Sequence, residues 1–192
     1  MTFTRQFLSE TAQIVSRLDE NAIERIIRLL AETRDAGGRL FILGVGGSAA
    51  NASHAVNDFR KIAGIEAYAP TDNVSELAAR TNEEGWNGVS WLRVSRLTAA
   101  GVFRRRRKLG KGDQRQSGCS FALRARDRRK DLWRRGPPWR IHCSGTDTCV
   151  IVPAINPLHV TPHTEAFQGV VWYLIVSHPD IKRAETRWES VR

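Results

Sequence analysis

Between Arg39 and Lys61 the chain places a glycine-rich turn where a strand would give way to a helix: Gly44-Val-Gly-Gly-Ser-Ala-Ala-Asn51. Such a turn has a specific chemical use. Glycines let the backbone approach an anion closely, and the following helix offers free N–H groups and the positive end of its dipole. Ser48 adds a hydroxyl donor, so Gly46, Gly47, Ser48 and Asn51 are the candidate anion-binding residues. The pattern is not the dinucleotide G-x-G-x-x-G, and no lysine follows it as in a P-loop. The alternative use is a plain strand-to-helix turn. One turn further on, His54 and Asp58 stand four residues apart, on one face of the same helix. They are either a working pair or a solvated one.

The elements that must hold this turn are legible from periodicity. Apolar residues at near-helical spacing predict a helix over 3–18, and a clear 3.6-residue stripe (Ile23, Ile26, Ile27, Leu29, Leu30) predicts a second over 21–34, ended by Gly37-Gly38. Residues 39–45 read as a continuously apolar, buried strand. A helix over 49–62, a short strand over 65–69, a helical turn or two over 74–80 and a helix over 91–97 follow. A strand at 149–153 and an apolar helix over 161–176, with Pro162 in its first turn, complete the pattern. The tail from His178 is polar and is expected to pack on a neighbouring subunit. Alternating strands and helices predict an α/β fold, a three-layer doubly wound parallel sheet with right-handed crossovers behind an N-terminal helical hairpin.

Residues 104–145 break this pattern. The formal charge of +10 over 192 residues would suggest a nucleic-acid or membrane partner. Yet 15 of the 30 Lys/Arg and only 3 of the 20 Asp/Glu lie in that stretch, leaving the rest of the chain at −2. The segment reads as the right gene in the wrong frame. CGG arginine codons shifted by one base become GGC, glycine. A DNA encoding Arg104 to Gly118, read one base later, gives VGGGNLEKGISVNLV, a strand end, a glycine turn and a helix start. Trp133 and Trp139, each fixed by TGG and followed by arginine, become glycine codons in the same way. As written, the segment is expected to be irregular, or to carry sheet on an unsuitable sequence. Burying its unpaired charges would exceed the roughly 5–15 kcal/mol a domain has to spare, so the chain as written is expected to be poorly folded or inactive.

The stretches ILGVGGSAANASHAVNDF, TDNVSELAARTNEEGW, VIVPAINP and TPHTEAFQGVVWYLIVSHP resemble the SIS sugar-isomerase family, in particular phosphoheptose isomerases. The shifted-frame VGGGN lies where that family has its second phosphate loop. The resemblance covers about residues 1–103 and 146–192, and implies one flavodoxin-like SIS domain over 1–192: helices in 1–36, core in 37–103 and 146–192, and 104–145 out of frame. It implies a homotetramer that interconverts sedoheptulose 7-phosphate and a heptose 7-phosphate. Carried over by position, Ser48 holds the phosphate, Asn82 and Glu83 touch sugar hydroxyls, and Glu165 is a carboxylate of the C-terminal helix. His54 and Asp58 fall where the family has a zinc-binding His and Glu. The family's first-loop Asn is Val45 here, its Glu is shortened to Asp58, and its second His falls at Trp172, so a complete zinc site is not expected.

Enediol proton transfer needs a base to move a proton between C1 and C2 and an acid for the oxygens. Glu165 with His163 or His54 would supply both. The bland alternatives are a helix-capping His163 beside Pro162 and a surface carboxylate for Glu165. Two other functions stay open: a non-catalytic phosphosugar-binding domain, favoured by the missing His and Asn, and a basic nucleic-acid binder, which needs 104–145 to be genuine and for which aromatics are sparse. No apolar run approaches the roughly 20 residues of a membrane span, and no secretory pattern or cysteine framework is present, so a reduced cytoplasmic protein is expected.

Overall fold

The computed structural model describes residues 1–44, 46–84, 100–105, 119–126 and 148–185, with 100–105 and 119–126 described as backbone. The expected helix over 91–97, the loop residue Val45, the tail beyond 185 and most of 104–145 lie outside these residues.

Two amphipathic helices open the chain, α1 (Phe3–Val15) and α2 (Glu20–Asp35). Asp19 caps α2 by accepting the Ala22 N–H at 2.9 Å. Gly37, at φ 60°, ends it in the left-handed conformation that only glycine adopts cheaply. Then come β1 (Arg39–Gly44), α3 (Gly47–Lys61) and β2 (Glu66–Tyr68). A short 3-10 turn leads into α4 (Val74–Glu84), which is longer than the one or two turns its sequence suggests. Strands β3 (Ala100–Arg105), β4 (Cys119–Arg126) and β5 (Thr148–Pro153) precede α5 (Val160–Ser177).

The strands form one five-stranded sheet in the order β2-β1-β3-β4-β5. Strand β2 runs parallel to β1, and β5 parallel to β4. Strand β3 is antiparallel to both neighbours, with Phe41 opposite Phe103 and Val102 opposite Phe121. The order is that of a doubly wound sheet, but the expected all-parallel arrangement is not observed. The connection explains the reversal. Parallel neighbours need a covering crossover of a dozen or more residues. The residues between β3 and β4, RRKLGKGDQRQSG, hold one apolar side chain, Leu109, and offer the sheet no face.

Strand β4 is the second of the two outcomes expected for 104–145, sheet carried on that sequence. Cys119, Phe121, Leu123 and Ala125 alternate with Ser120, Ala122, Arg124 and Arg126, a period of two that suffices for a strand.

Helix α3 packs on β1 and β2, α5 on β4 and β5, and α3 and α5 on each other. Ile14, Ile26, Ile27, Leu40, Ile65, Val150, Phe167 and Ile175 are the buried centre. The start of the polar tail packs on its own chain. Ile181 is fully buried, the Arg183 N–H donates to the Ile62 carbonyl at 2.8 Å, and Arg34 donates to the carbonyls of Asp180 and Ile181. Among the described residues no helix is long and apolar enough to cross a membrane.

Candidate functional site

The glycine turn joins the end of β1 to α3, and two of its glycines are required for different reasons. A β-carbon on Gly44 would land in the carbonyl of Ser48. Gly46 is the residue before α3 and holds φ 63°, ψ −131°, a region essentially reserved for glycine. Among the described residues no side chain caps α3; the Ala49 N–H donates to the Gly46 carbonyl at 2.9 Å, and those of Gly47 and Ser48 are left for another acceptor.

The C-terminal helix meets this turn. A β-carbon on Gly47 would lie 2.5 Å from Oε2 of Glu165, so the Glu165 carboxylate sits directly over the start of α3. That position favours negative charge, because the helix dipole presents its positive end there. Three polar contacts fix the two helices in register. The Gln168 amide donates to the buried Ser48 hydroxyl at 3.0 Å, and the Asn51 amide donates to Gln168 Oε1 at 2.9 Å and to the Glu165 carbonyl at 3.0 Å. Ser48, Asn51 and Glu165 are therefore brought together. Gln168 was missed, although it stands three residues after Glu165 and so on the same helix face.

Further along the α3–α5 seam lie His54 and Asp58. Their side chains approach to 3.8 Å, and His54 Nε2 is 3.4 Å from the Tyr173 hydroxyl. Asp58 is buried, and its Oδ2 accepts the indole N–H of Trp172 at 3.1 Å. The oxygen a metal would need is taken by the residue that replaces the expected second histidine. Among the described residues no third ligand joins this pair, and the zinc implied there does not fit.

His163 does not face the turn. Two residues apart on a helix, His163 and Glu165 point about 200° away from each other. His163 is buried, stacked on Phe7 with ring centroids 4.3 Å apart, and its Nε2 is 3.0 Å from Oε2 of Glu10 on α1. His159 Nδ1 lies 2.8 Å from the same oxygen. The Asn156 amide, with the imidazoles of His163 and His159, holds the Glu10 carboxyl well below the usual carboxylate range. Asn82 and Glu83 are exposed near the end of α4.

Part of the chain is similar to known proteins. Residues 5–88 match the SIS domain. The SIS match runs from α1 through α4, so it contains the glycine turn, His54, Asp58, Asn82 and Glu83, and it ends before β3. Glu165 and Gln168 come from outside it. The lincomycin biosynthesis protein LmbN of Streptomyces lincolnensis is 32% identical over 92 residues, which cover 45% of this chain. The chain spans 34% of that relative's length. No solved structure matches the chain.

Proposed function

We propose that the glycine turn binds the phosphate of a sugar phosphate, and that Glu165 moves the proton in an aldose–ketose isomerisation. The observation that carries this reading is the Glu165 carboxylate standing over Gly47, next to the N–H groups of an uncapped helix. A phosphate on those N–H groups would lie beside the carboxylate, so proton transfer at C1 and C2 of a 7-phosphate requires the sugar to fold back toward Glu165. His54, with its ring exposed on the same seam, serves the sugar oxygens. The match to a SIS domain supports the sugar-phosphate class.

Within that class we infer the interconversion of sedoheptulose 7-phosphate and D-glycero-D-manno-heptose 7-phosphate in a cytoplasmic homotetramer. Val170, Tyr173 and Leu174 form an exposed apolar stripe on α5, which supports association of copies. We also propose that 104–145 is a shifted reading frame, and that the restored frame supplies the second phosphate loop. Resequencing codons 85–150 decides that point.

The test uses sedoheptulose 7-phosphate with the chain in both frames. The restored chain is expected to form the aldose, and Glu165→Gln to lose about 100- to 10,000-fold in kcat while still binding phosphate. No aldose from a folded, restored chain refutes the enzyme. A non-catalytic sugar-phosphate domain is the second reading, favoured by His163 being engaged by Glu10 instead of facing the turn. Calorimetric binding without turnover is its signature. A nucleic-acid binder would instead show salt-dependent DNA affinity that vanishes when 104–145 is deleted.

A further inference from the structure

Away from the glycine turn, three potential metal ligands converge from two parts of the chain. Glu10 is on α1. His159 immediately precedes α5 and His163 is in its first turns, four residues on and therefore on the same face. One ligand atom from each lies within 4.8 Å of the other two. Oε2 of Glu10 is shared, 2.8 Å from His159 Nδ1 and 3.0 Å from His163 Nε2.

We propose that Glu10, His159 and His163 form a binding site for a divalent transition metal, with zinc the ion their chemistry fits. Two imidazole nitrogens and one carboxylate oxygen are a set zinc takes in tetrahedral geometry, at about 2.0–2.2 Å per ligand. Ligand atoms at those distances stand about 3.4 Å apart. Inserting the ion thus asks the present contacts to open by about half an ångström, within the reach of side-chain adjustment. Calcium and magnesium prefer all-oxygen shells and are disfavoured by the two imidazoles.

The surroundings supply what a ligand set needs. The other carboxylate oxygen, Oε1, accepts the Asn156 amide at 2.8 Å and the Gln6 amide at 3.0 Å, which aims Oε2 at the histidines. Asn156 is itself fixed, because its Oδ1 accepts the Leu158 N–H at 3.0 Å. Its amide nitrogen also lies 3.2 Å from His159 Nδ1. That orientation presents N–H groups to the cluster, so Asn156 orients the ligands and does not join them. The Phe7 ring holds the plane of His163. The side chains of Glu10 and His163 are 6% and 4% exposed, but that of His159 is 18% exposed. This leaves a solvent-facing side for the ion to arrive and for a water to take the fourth position. A bound ion would clamp α1 to the start of α5, the helix that carries Glu165.

The experiment is independent of any sugar chemistry. The full chain, stripped with a chelator, is titrated with Zn²⁺ by calorimetry and with Co²⁺ by visible absorption. The expected result is one ion per chain, with the intense visible bands of tetrahedral cobalt. E10Q and H163Q should each lose roughly 100-fold or more in zinc affinity, at or beyond the upper end of what loss of a mere orienting residue costs. H54A should lose none. H159C, at the most open of the three positions, should add a thiolate-to-cobalt charge-transfer band, which a purely hydrogen-bonded residue would not produce. Absence of stoichiometric zinc from the folded wild-type chain overturns the proposal. So does wild-type zinc affinity in folded E10Q or H163Q, or absence of the thiolate band in cobalt-loaded H159C.

Discussion

One methyl group added in turn at Gly44, Gly46 and Gly47 separates what the turn needs for folding from what it needs for chemistry. At Gly44 the new carbon overlaps the Ser48 carbonyl, by more than about 1 Å relative to ordinary contact. The obstructing atoms are backbone, in a turn that Gln168 holds through the Ser48 hydroxyl, so α3 itself must retreat. Overpacking of this kind costs about 1–3 kcal/mol and sometimes more, and Gly44→Ala is expected at about 3 kcal/mol or above. For a chain of this size each kcal/mol moves Tm by about 2–4 °C, giving a fall of about 6–12 °C. Gly46→Ala meets nothing within 4 Å, but must hold φ 63° with ψ −131°, a conformational cost of about 1–3 kcal/mol. At Gly47 the obstruction is the far end of a flexible side chain, the Glu165 carboxylate. Even forcing it about 30° off its rotamer costs only about 0.5–1.5 kcal/mol, so Gly47→Ala should melt within a few degrees of wild type. Under the proposed isomerisation it should nonetheless lose turnover, because the carboxylate has left the turn. Thermal melts of the three variants, followed by turnover on sedoheptulose 7-phosphate in the restored frame, check the series. A Gly47→Ala protein less stable than Gly44→Ala, or one with full turnover, would refute the placement of Glu165.

Two further outcomes follow from the seam and the sheet edge. Trp172→Phe removes the indole N–H from buried Asp58 and should destabilise by about 1–3 kcal/mol, whereas W172F/D58L should cost less than the sum of the single changes, measured by denaturant melts as a double-mutant cycle. The Tyr68 hydroxyl donates to Glu66 at 2.7 Å, and that hydrogen bond, with burial, raises its pKa. Tyr68 therefore lends stability below the unfolded phenol value of about 10, which is lost as pH rises through the raised one. In a Y173F background, ultraviolet titration should find Tyr68 ionising above pH 10 and E66Q bringing it down; an unchanged titration in E66Q counts against the contact.

The sequence by itself determined the local elements and the glycine turn. The stripe of Ile23, Ile26, Ile27 and Leu30 can be buried only as a helix, the run from Arg39 to Gly44 only as a covered strand, and Gly46 can hold its backbone angles only as glycine. Those are constraints within a few residues, so they are legible in order along the chain. Glu165 was legible too, through its resemblance to a carboxylate of the same helix. Its partner on the helix was not, because which face of α5 meets α3 is set by the packing of Phe167, Val171 and Ile175. That packing turned Gln168 and Trp172 toward α3 and His163 toward Glu10. The link between Glu10 and His163 spans 153 residues and has no local signature. Strand β3 belongs to the same class: Ala100–Arg105 was not read as a strand from the sequence, and its sense depends on whether the following residues can cover the sheet, which an arginine-rich connection cannot.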